Sequence, residues 1–257
     1  MSIRLKFKYA PIVLQFPSSI IQKKKYVFII SHMRSYSTLL SHILGNHKEI
    51  DGYSELHYSY FNYFDNIKAK IRVMYTLGNR LEGQYILDKL LHNENQISNI
   101  FLQANTVKLI FLLRQPHTTY KSQINRRLQV TKTDEHIIVN NVHYYYTNRL
   151  VMLKKLVISL NADKLFIKSE DIINNPDPVL KKIQGFLSLG NPLTKEYEQF
   201  RFSGKRGYGD SSENIKSGRI TNFSKKYGNI HIPKELLSAA NNYYDQCKEE
   251  LLKHCSS

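Results

Sequence analysis

The sequence predicts an α/β fold, a single domain built on a central, mostly parallel sheet flanked by helices. Three observations indicate this class. An apolar strand near residue 26 passes through a short polar turn directly into a helix, and a second apolar run, Val107–Leu113, is also followed by a helix. A third short strand, Lys164–Lys168, again precedes a helix. Continuous apolar runs of strand length, alternating with helices, are typical of buried parallel strands.

The first ninety residues are predicted to hold a leader segment, one strand and three helices. Residues 1–22 mix basic residues with two prolines, and we expect a leader strand or loop packed on the domain. The pattern then predicts a buried strand over Tyr26–Ile30, a polar turn over Ser31–Ser37 and a helix over Thr38–Gly45. The aromatic and polar segment Tyr58–Leu91 has helical spacing, which predicts two helices covering the sheet.

The remainder of the chain continues the alternation. After Val107–Leu113 the pattern predicts a helix over Thr118–Gln129, a long amphipathic segment over Asp134–Ser159 and the strand Lys164–Lys168. It then predicts a helix over Val179–Leu187, a loop rich in Gly, Ser and Lys over Gly204–Gly218, and a C-terminal helix over Pro233–His254. The run Tyr144–Tyr146 is interpreted as a helix packing face. No internal repeat or low-complexity linker separates a second unit, so residues 1–257 are predicted to form one domain.

Composition limits the function classes. The formal net charge of +16 and the sequence pI near 9.6 favour an anionic partner, although a general compositional bias explains scattered lysines equally well. Two cysteines, Cys247 and Cys255, form neither a disulfide framework nor a metal-ligand spacing, so we expect a reducing, cytoplasmic location and no metal. No apolar stretch is long enough to cross a bilayer, and no membrane span is expected.

The turn after the first strand has the properties of an anion site. A strand that turns directly into a helix leaves free backbone N–H groups at the helix N-terminus, where the helix dipole also favours an anion. Arg34, Ser35, Ser37 and Thr38 add a guanidinium and three hydroxyls to this P-loop-like cradle. The turn lacks the GK[ST] ending of nucleoside triphosphatases, which argues against a nucleotide kinase.

A second arginine follows the next apolar strand. Arg114 comes directly after Leu113, and parallel strands end at the same edge of a sheet, where ligands of such sheets bind. Ser122 and Arg126 lie on one face of the following helix, one turn apart. The sequence therefore predicts two neighbouring anion sites, suited to a ligand with two separated phosphate groups.

These two motifs, RSYSTLL at 34–40 and LLRQPHTTYKSQINRR at 112–127, resemble the nucleotide-binding motifs of sulfotransferases that use 3′-phosphoadenosine 5′-phosphosulfate (PAPS). The likeness is closest to the tyrosylprotein and carbohydrate branch. It implies that the loop from Arg34 through Tyr36 to Leu39 holds the 5′-phosphosulfate. It also implies that Arg114, Ser122 and Arg126 hold the 3′-phosphate, with 3′-phosphoadenosine 5′-phosphate (PAP) as product and no metal.

The resemblance extends to three further places. Glu55 stands 21 residues after Arg34, where the tyrosylprotein group has its catalytic glutamate. The segment SSENIKSGRITNFSKK at 211–226 is similar to a third nucleotide-binding segment and implies roles for Ser211, Ser212, Lys216 and Lys225. Lys205, Arg206 and Gly207 resemble a basic-glycine triplet near the 3′-phosphate. Where the family loop has glycine, this chain has Tyr36.

The sequence therefore predicts in-line transfer of a sulfuryl group to a hydroxyl of a carbohydrate, a lipid or a tyrosine, without nucleic acid as partner. Arg34 is expected to stabilise charge on the leaving oxygen, and Glu55 to take the acceptor proton. His57 is the competing base, because an imidazole can do the same work. A nucleotide-binding relative without activity and a basic nucleic-acid-binding protein are the alternatives.

Overall fold

The computed structural model describes residues 3–205, 208–210, 212–221, 227 and 230–256, without the side chains of residues 3–7 and 213. The central sheet has five strands, β1 Lys25–Ile30, β2 Ile50–Asp51, β3 Tyr85–Leu90, β4 Val107–Leu113 and β5 Asp163–Lys168. All pairings are parallel, and the strand order is β2-β3-β1-β4-β5. The predicted α/β class with a parallel sheet is confirmed.

Helices connect and cover these strands. In chain order they are α1 Ile3–Gln15, α2 Ser18–Ile21, α3 Ser37–Gly45, α4 Asp65–Leu77, α5 Asn99–Ala104, α6 Pro116–Leu128, α7 Glu135–Ser159, α8 Asp171–Asn174, α9 Pro176–Leu187, α10 Glu213–Lys216 and α11 Lys234–His254.

Successive side chains of the strands enter two separate cores, because neighbouring residues of a strand point to opposite faces. In β1, Tyr26, Phe28 and Ile30 pack with α4, α5, α6, α7 and α11. Val27 and Ile29 pack on the other face, with α3, α8 and α9. Helices therefore cover both faces of the sheet, which leaves the carboxyl ends of the strands as the open edge for ligands.

Two predictions about elements were wrong. The leader is helical rather than a strand or loop: α1 packs against α4, with the Tyr9 and Tyr75 rings edge to face at 5.2 Å. The segment Tyr58–Leu91 contains one helix, α4, and the fully buried strand β3 instead of two helices. The sequence YILDKL of β3 does not resemble a buried strand because Asp88 and Lys89 interrupt its apolar run, yet both are buried.

Two helices begin earlier than predicted, for a common reason. The structure starts α6 at Pro116 and α9 at Pro176, two and three residues before the predicted starts at Thr118 and Val179. Proline is favoured in the first turn of a helix, where its missing N–H has no partner to lose. These prolines open the helices instead of preceding them.

Candidate active site

The connection from β1 to α3 forms a tight loop whose backbone is held in an unusual conformation. Arg34 and Tyr36 have φ angles of 67° and 60°, in the left-handed region that side chains other than glycine seldom adopt. The hydroxyls of Ser31 and Ser35 lie 2.6 Å apart, and Ser31 Oγ donates to the Leu112 carbonyl oxygen on β4. Ser35 is therefore buried inside the loop and braces it, and it does not line the cavity described below.

Helix α3 begins directly after this loop. Its N-cap residue, Tyr36, makes no side-chain capping hydrogen bond. Ser37 and Thr38, in the first turn of the helix, both line the cavity. A helix start of this kind presents backbone N–H groups and the positive end of the helix dipole to an anion.

Arg114, at the end of β4, reaches across to this loop because β1 and β4 are neighbours in the sheet. Its Nη1 donates to the Arg34 carbonyl oxygen at 2.8 Å, and its Nη2 donates to the Tyr36 hydroxyl at 3.0 Å. Its guanidinium carbon lies 4.3 Å from the centre of the Tyr36 ring. Arg114 Nε is buried and has no hydrogen-bond partner among the described residues. A buried donor without a partner is costly, so this nitrogen is suited to an anionic ligand.

Helix α6 contributes the remaining predicted residues of the second motif. Ser122 is buried, and its Oγ accepts a hydrogen bond from Arg34 Nε at 2.8 Å. Arg126, one turn further along α6, is exposed and lines the same cavity. The Arg34–Ser122 contact therefore joins the two predicted anion sites into one continuous surface.

His32 connects the two loops through its ring. Its Nδ1 lies 2.9 Å from the Met33 carbonyl oxygen, and its Nε2 lies 3.1 Å from the Arg114 backbone nitrogen. A carbonyl can only accept and an N–H can only donate, so the ring carries its proton on Nδ1 and is neutral. Burial is the main cause that lowers the pKa of His32 to about 3, so the ring stays neutral across the physiological range.

Glu55 is buried and lines the cavity close to two histidines. Its Oε1 lies 3.5 Å from His57 Nδ1 and 3.8 Å from His92 Nε2, and no described group donates a hydrogen bond to it. A carboxylate oxygen in this state can accept a proton from a bound hydroxyl. The structure thus brings both predicted bases, Glu55 and His57, to one place and adds His92, which no sequence motif predicted.

Asp88 on β3 holds the segment that carries Glu55. Its Oδ1 accepts from the Leu56 backbone N–H at 2.9 Å, and its Oδ2 accepts from the Tyr60 hydroxyl at 2.6 Å. Burial raises the pKa of the Asp88 carboxyl to about 7, although these hydrogen bonds oppose the shift. Asp88 therefore fixes the position of Glu55 through the main chain of the next residue.

Lys89 is a second ionisable residue of β3 near the site, and no sequence motif predicted it. It is fully buried, and its Nζ lies 3.5 Å from Thr38 Oγ1 in the first turn of α3. Burial lowers the pKa of its ammonium below the ordinary value, while nearby carboxylates, Glu55 foremost, act in the opposite direction. The pattern of YILDKL did not reveal it because the sequence does not identify β3 as a strand; in the folded chain, a lysine near the end of this parallel strand lies at the same edge as Arg34 and Arg114.

The segment 208–210 covers the start of α3. The Asp210 backbone N–H donates to Thr38 Oγ1 at 3.1 Å, and its Oδ1 lies 2.9 Å from Arg34 Nη1. Gly209 has a φ of 124°, and a Cβ there would lie 3.0 Å from the Thr38 side chain, so only glycine fits easily. Asp210 was not predicted, because its contact with Arg34 spans 176 residues of sequence.

Two tyrosines of α7 hold the strand ends behind the site. The Tyr145 hydroxyl accepts from the Met33 backbone N–H and donates to the Leu91 carbonyl oxygen, both at 2.8 Å. The Tyr146 hydroxyl donates to the Arg114 carbonyl oxygen at 2.7 Å. The tyrosine run is thus more than the predicted packing face, because the half-buried Tyr145 and the buried Tyr146 bind the main chain just beyond the ends of β1, β3 and β4.

Arg149 lies on the same face of α7 and completes this contact. Its Nε donates to the Ser31 carbonyl oxygen at 2.8 Å, its Nη1 donates to Asn93 Oδ1 at 2.9 Å, and its Nη2 donates to the Leu90 carbonyl oxygen. The side chain is buried, and burial lowers its pKa to about 10. We call Tyr145, Tyr146 and Arg149 the α7 anchor.

These elements enclose a cavity of about 830 Å³. The predicted site residues that line it are Arg34, Tyr36, Ser37, Thr38, Leu39, Glu55, His57, Arg114, Ser122, Arg126 and Ser212. The unpredicted polar residues that line it include His92, His117, Lys121, Asp210, Arg219 and Tyr227. Its described lining has five basic side chains of Lys or Arg and two carboxylates, a balance that favours an anionic ligand.

Some predicted residues lie elsewhere. Lys205 has its amino group 5.0 Å from the Phe202 ring, and Lys216 is exposed; neither lines the cavity. Four others lie outside the described residues, namely Arg206, Gly207, Ser211 and Lys225. Across the described ranges, no helix is long and apolar enough to cross a membrane, and no group of three His, Cys, Asp or Glu side chains could hold a metal ion.

Comparison with solved structures shows the fold. The sulfotransferase domain from the curacin biosynthetic pathway matches 88% of this chain and 99% of its own chain, with a TM-score of 0.56 and 17% sequence identity. The chain therefore has the fold of a sulfotransferase domain. A structure from the PezAT chromosomal toxin–antitoxin system of Streptococcus pneumoniae covers 94% of this chain and 96% of its own at 12% identity, but its TM-score of 0.29 supports no argument. No protein-family profile and no curated protein sequence matches the chain.

Proposed function

We propose that this protein is a sulfotransferase that moves the sulfuryl group of PAPS to a hydroxyl acceptor. The observation that carries the proposal is the meeting of Arg34 and Arg114 at the ends of adjacent parallel strands, in one cavity with the buried carboxylate of Glu55. A donor with two separated phosphate groups needs two such cationic sites, and sulfuryl transfer needs a base close to them.

The described residues suit the donor. The start of α3 and Arg34 offer N–H groups and a positive charge to a phosphosulfate, and Lys89 adds a second charge beside Thr38. Arg114 offers its unpaired Nε to the 3′-phosphate, with Ser122 and Arg126 further along α6. The donor, its product PAP and these roles remain part of the proposal, as does membership of the tyrosylprotein and carbohydrate branch.

The reaction balances with these groups alone. The acceptor oxygen attacks sulfur, the bond between sulfur and the bridging phosphate oxygen breaks, and PAP leaves. Glu55 takes the proton of the acceptor hydroxyl, with His57 as the alternative base. Arg34 and Lys89 stabilise the negative charge that develops on the leaving oxygen. The acceptor belongs to the carbohydrates, lipids or tyrosine peptides, and a reducing location such as the cytoplasm accords with the two free cysteines.

Calorimetric titration with PAP tests the donor assignment. We expect binding by the wild type, and affinity about 10- to 100-fold lower in Arg114→Ala and Arg34→Ala, because each loses charge-assisted hydrogen bonds. Arg80→Ala is the matched control, since Arg80 is an exposed arginine that pairs with Glu82 outside the cavity.

Three outcomes would contradict the proposed function or a part of it. A folded wild type that fails to bind PAP would refute the donor assignment. Binding of PAP with no turnover of PAPS across sugar, lipid and tyrosine-peptide acceptors would instead indicate a nucleotide-binding relative without activity. Salt-dependent binding of duplex DNA that Arg114→Ala leaves unchanged, without PAP binding, would favour the nucleic-acid alternative.

A further inference from the structure

Tyr36 stands in the phosphate loop at a position that suits glycine. Its φ of 60° costs an L-residue on the order of 1 kcal/mol or more, whereas glycine adopts it freely. A large side chain at such a position is retained at a cost to the backbone, so its contacts indicate what it contributes.

Those contacts are with the arginine that the proposed function assigns to the 3′-phosphate. The Tyr36 hydroxyl accepts a hydrogen bond from Arg114 Nη2 at 3.0 Å, and the guanidinium carbon lies 4.3 Å from the ring centre. Stacking on an aromatic ring and a hydrogen bond at its edge restrict the plane and the rotation of a guanidinium. With Nη1 bound to the Arg34 carbonyl oxygen, Arg114 presents its unpaired Nε in a fixed direction.

The phenol also keeps a donor of its own. A tyrosine hydroxyl has one proton and can accept hydrogen bonds as well. The Tyr36 oxygen accepts from Arg114 and has no acceptor for its own proton among the described residues, so this proton is available to a ligand in the cavity that Tyr36 lines. Burial raises the pKa of Tyr36 above its ordinary value, which keeps this proton in place at neutral pH.

We propose that Tyr36 is a specificity-determining residue for the donor: its hydroxyl binds the 3′-phosphate together with Arg114, while its ring orients the arginine. The proposal rests on the proposed function, because it deepens the assignment of the site around Arg114. A glycine at position 36 would remove the ring and the hydroxyl that restrict the orientation of the Arg114 guanidinium. The site would then discriminate less between nucleotides with and without a 3′-phosphate.

The test compares PAP with adenosine 5′-monophosphate (AMP), which lacks the 3′-phosphate, by calorimetry. Tyr36→Phe keeps the ring and removes the hydroxyl, so we expect PAP affinity to fall about tenfold, the size of one charge-assisted hydrogen bond, while AMP affinity changes less than twofold. The ratio of the two affinities is the readout, because a purely structural role would lower both equally.

Two further variants make the test decisive. Tyr36→Gly removes the ring as well and should lower the ratio further, while glycine adopts the positive φ of this position without strain. Tyr144→Phe is the matched control, since Tyr144 is an exposed tyrosine outside the cavity.

The outcomes separate this inference from the proposed function. Equal losses for PAP and AMP, or unchanged or tighter PAP binding in both Tyr36 variants, would overturn the role of Tyr36 and leave the donor assignment standing. A wild type that binds neither nucleotide would overturn both. A selective loss for PAP in Tyr36→Phe would establish the role of the hydroxyl.

Discussion

Glu55 is the residue on which the proposed chemistry depends most directly. Its buried Oε1 has no hydrogen-bond donor in the described part of the chain, and the nearest ring nitrogens are 3.5 and 3.8 Å away. Glu55→Gln keeps the size of the side chain and cannot take a proton. We expect turnover of PAPS to fall 10²- to 10⁴-fold, with PAP affinity nearly unchanged, measured by PAP release and by calorimetry.

The same assay distinguishes the two candidate bases. His57→Gln should lower turnover less than Glu55→Gln, because His57 is half exposed whereas Glu55 is buried. A larger effect at His57 would assign the proton transfer to the imidazole. Glu82→Gln, at an exposed glutamate paired with Arg80, is the control and should leave turnover unchanged.

Lys89 is expected to act on the reaction through its charge alone, since it is buried and does not line the cavity. Lys89→Met keeps length and removes the charge. We expect turnover to fall about 10²- to 10³-fold, as for the loss of one preorganised electrostatic group. The melting temperature should stay level or rise, because burial disfavours the charged lysine in the wild type. Unchanged turnover in a folded variant would exclude a role for Lys89 in charge stabilisation.

At the scale of elements, β3 links stability to pH through Asp88. Its pKa is raised to about 7 in the folded protein, against 3.8 in the unfolded chain. The carboxyl therefore contributes stability that is fully present below pH 3.8 and is lost as the pH rises towards 7.

Asp88→Asn removes this titration while keeping an oxygen for the Leu56 N–H. The difference in free energy of unfolding between variant and wild type should shift in favour of the variant by about 3 kcal/mol between pH 5 and pH 8. Urea unfolding at the two pH values measures it. Asp177→Asn, at an exposed aspartate paired with Lys195, should show no such shift. A difference independent of pH would mean that Asp88 is ionised at pH 5 in the folded protein.

The elements also show what sequence patterns can predict. Strands β1, β4 and β5 were predicted within one residue, since their apolar runs are nearly continuous. Strand β2 has two residues, and β3 carries two ionisable side chains whose partners include Leu56, Tyr60 and Thr38, all distant in sequence. Local pattern could not reveal partners that only the folded chain brings together.

The residues of the candidate site also fall into those that sequence patterns predict and those that they do not. Arg34, Arg114 and Ser122 were predictable because each follows a strand or lies one helical turn from a motif residue. Lys89 and Asp210 were missed because each reaches the loop from a different part of the chain. Ser35 was expected to face the ligand, but its hydroxyl is turned inwards to Ser31.

At the scale of the molecule, α7 ties the ligand-facing edge of the sheet together. Arg149→Met would leave the Ser31 carbonyl oxygen and Asn93 Oδ1 without this donor, whereas the Leu90 carbonyl oxygen keeps the Ser31 N–H. We expect a loss of about 3 kcal/mol in the free energy of unfolding, from urea denaturation. Lys155→Met, at an exposed position of the same helix, should cost less than about 0.5 kcal/mol. Equal costs would mean that the contacts of Arg149 contribute nothing net.

The α7 anchor binds the strand ends almost entirely through main-chain atoms. The contacts of the α7 anchor with Met33 and Leu91 therefore do not use their side chains, which line the cavity. Under the proposed function, we expect substitutions at these two positions to alter acceptor preference while the main chain around Arg34 and Arg114 stays in place. Variants from a library randomised at Met33 and Leu91 should keep the wild-type affinity for PAP but differ in the acceptor that they prefer. The side chains at this edge of the sheet could then be exchanged while the main chain that α7 holds keeps its position.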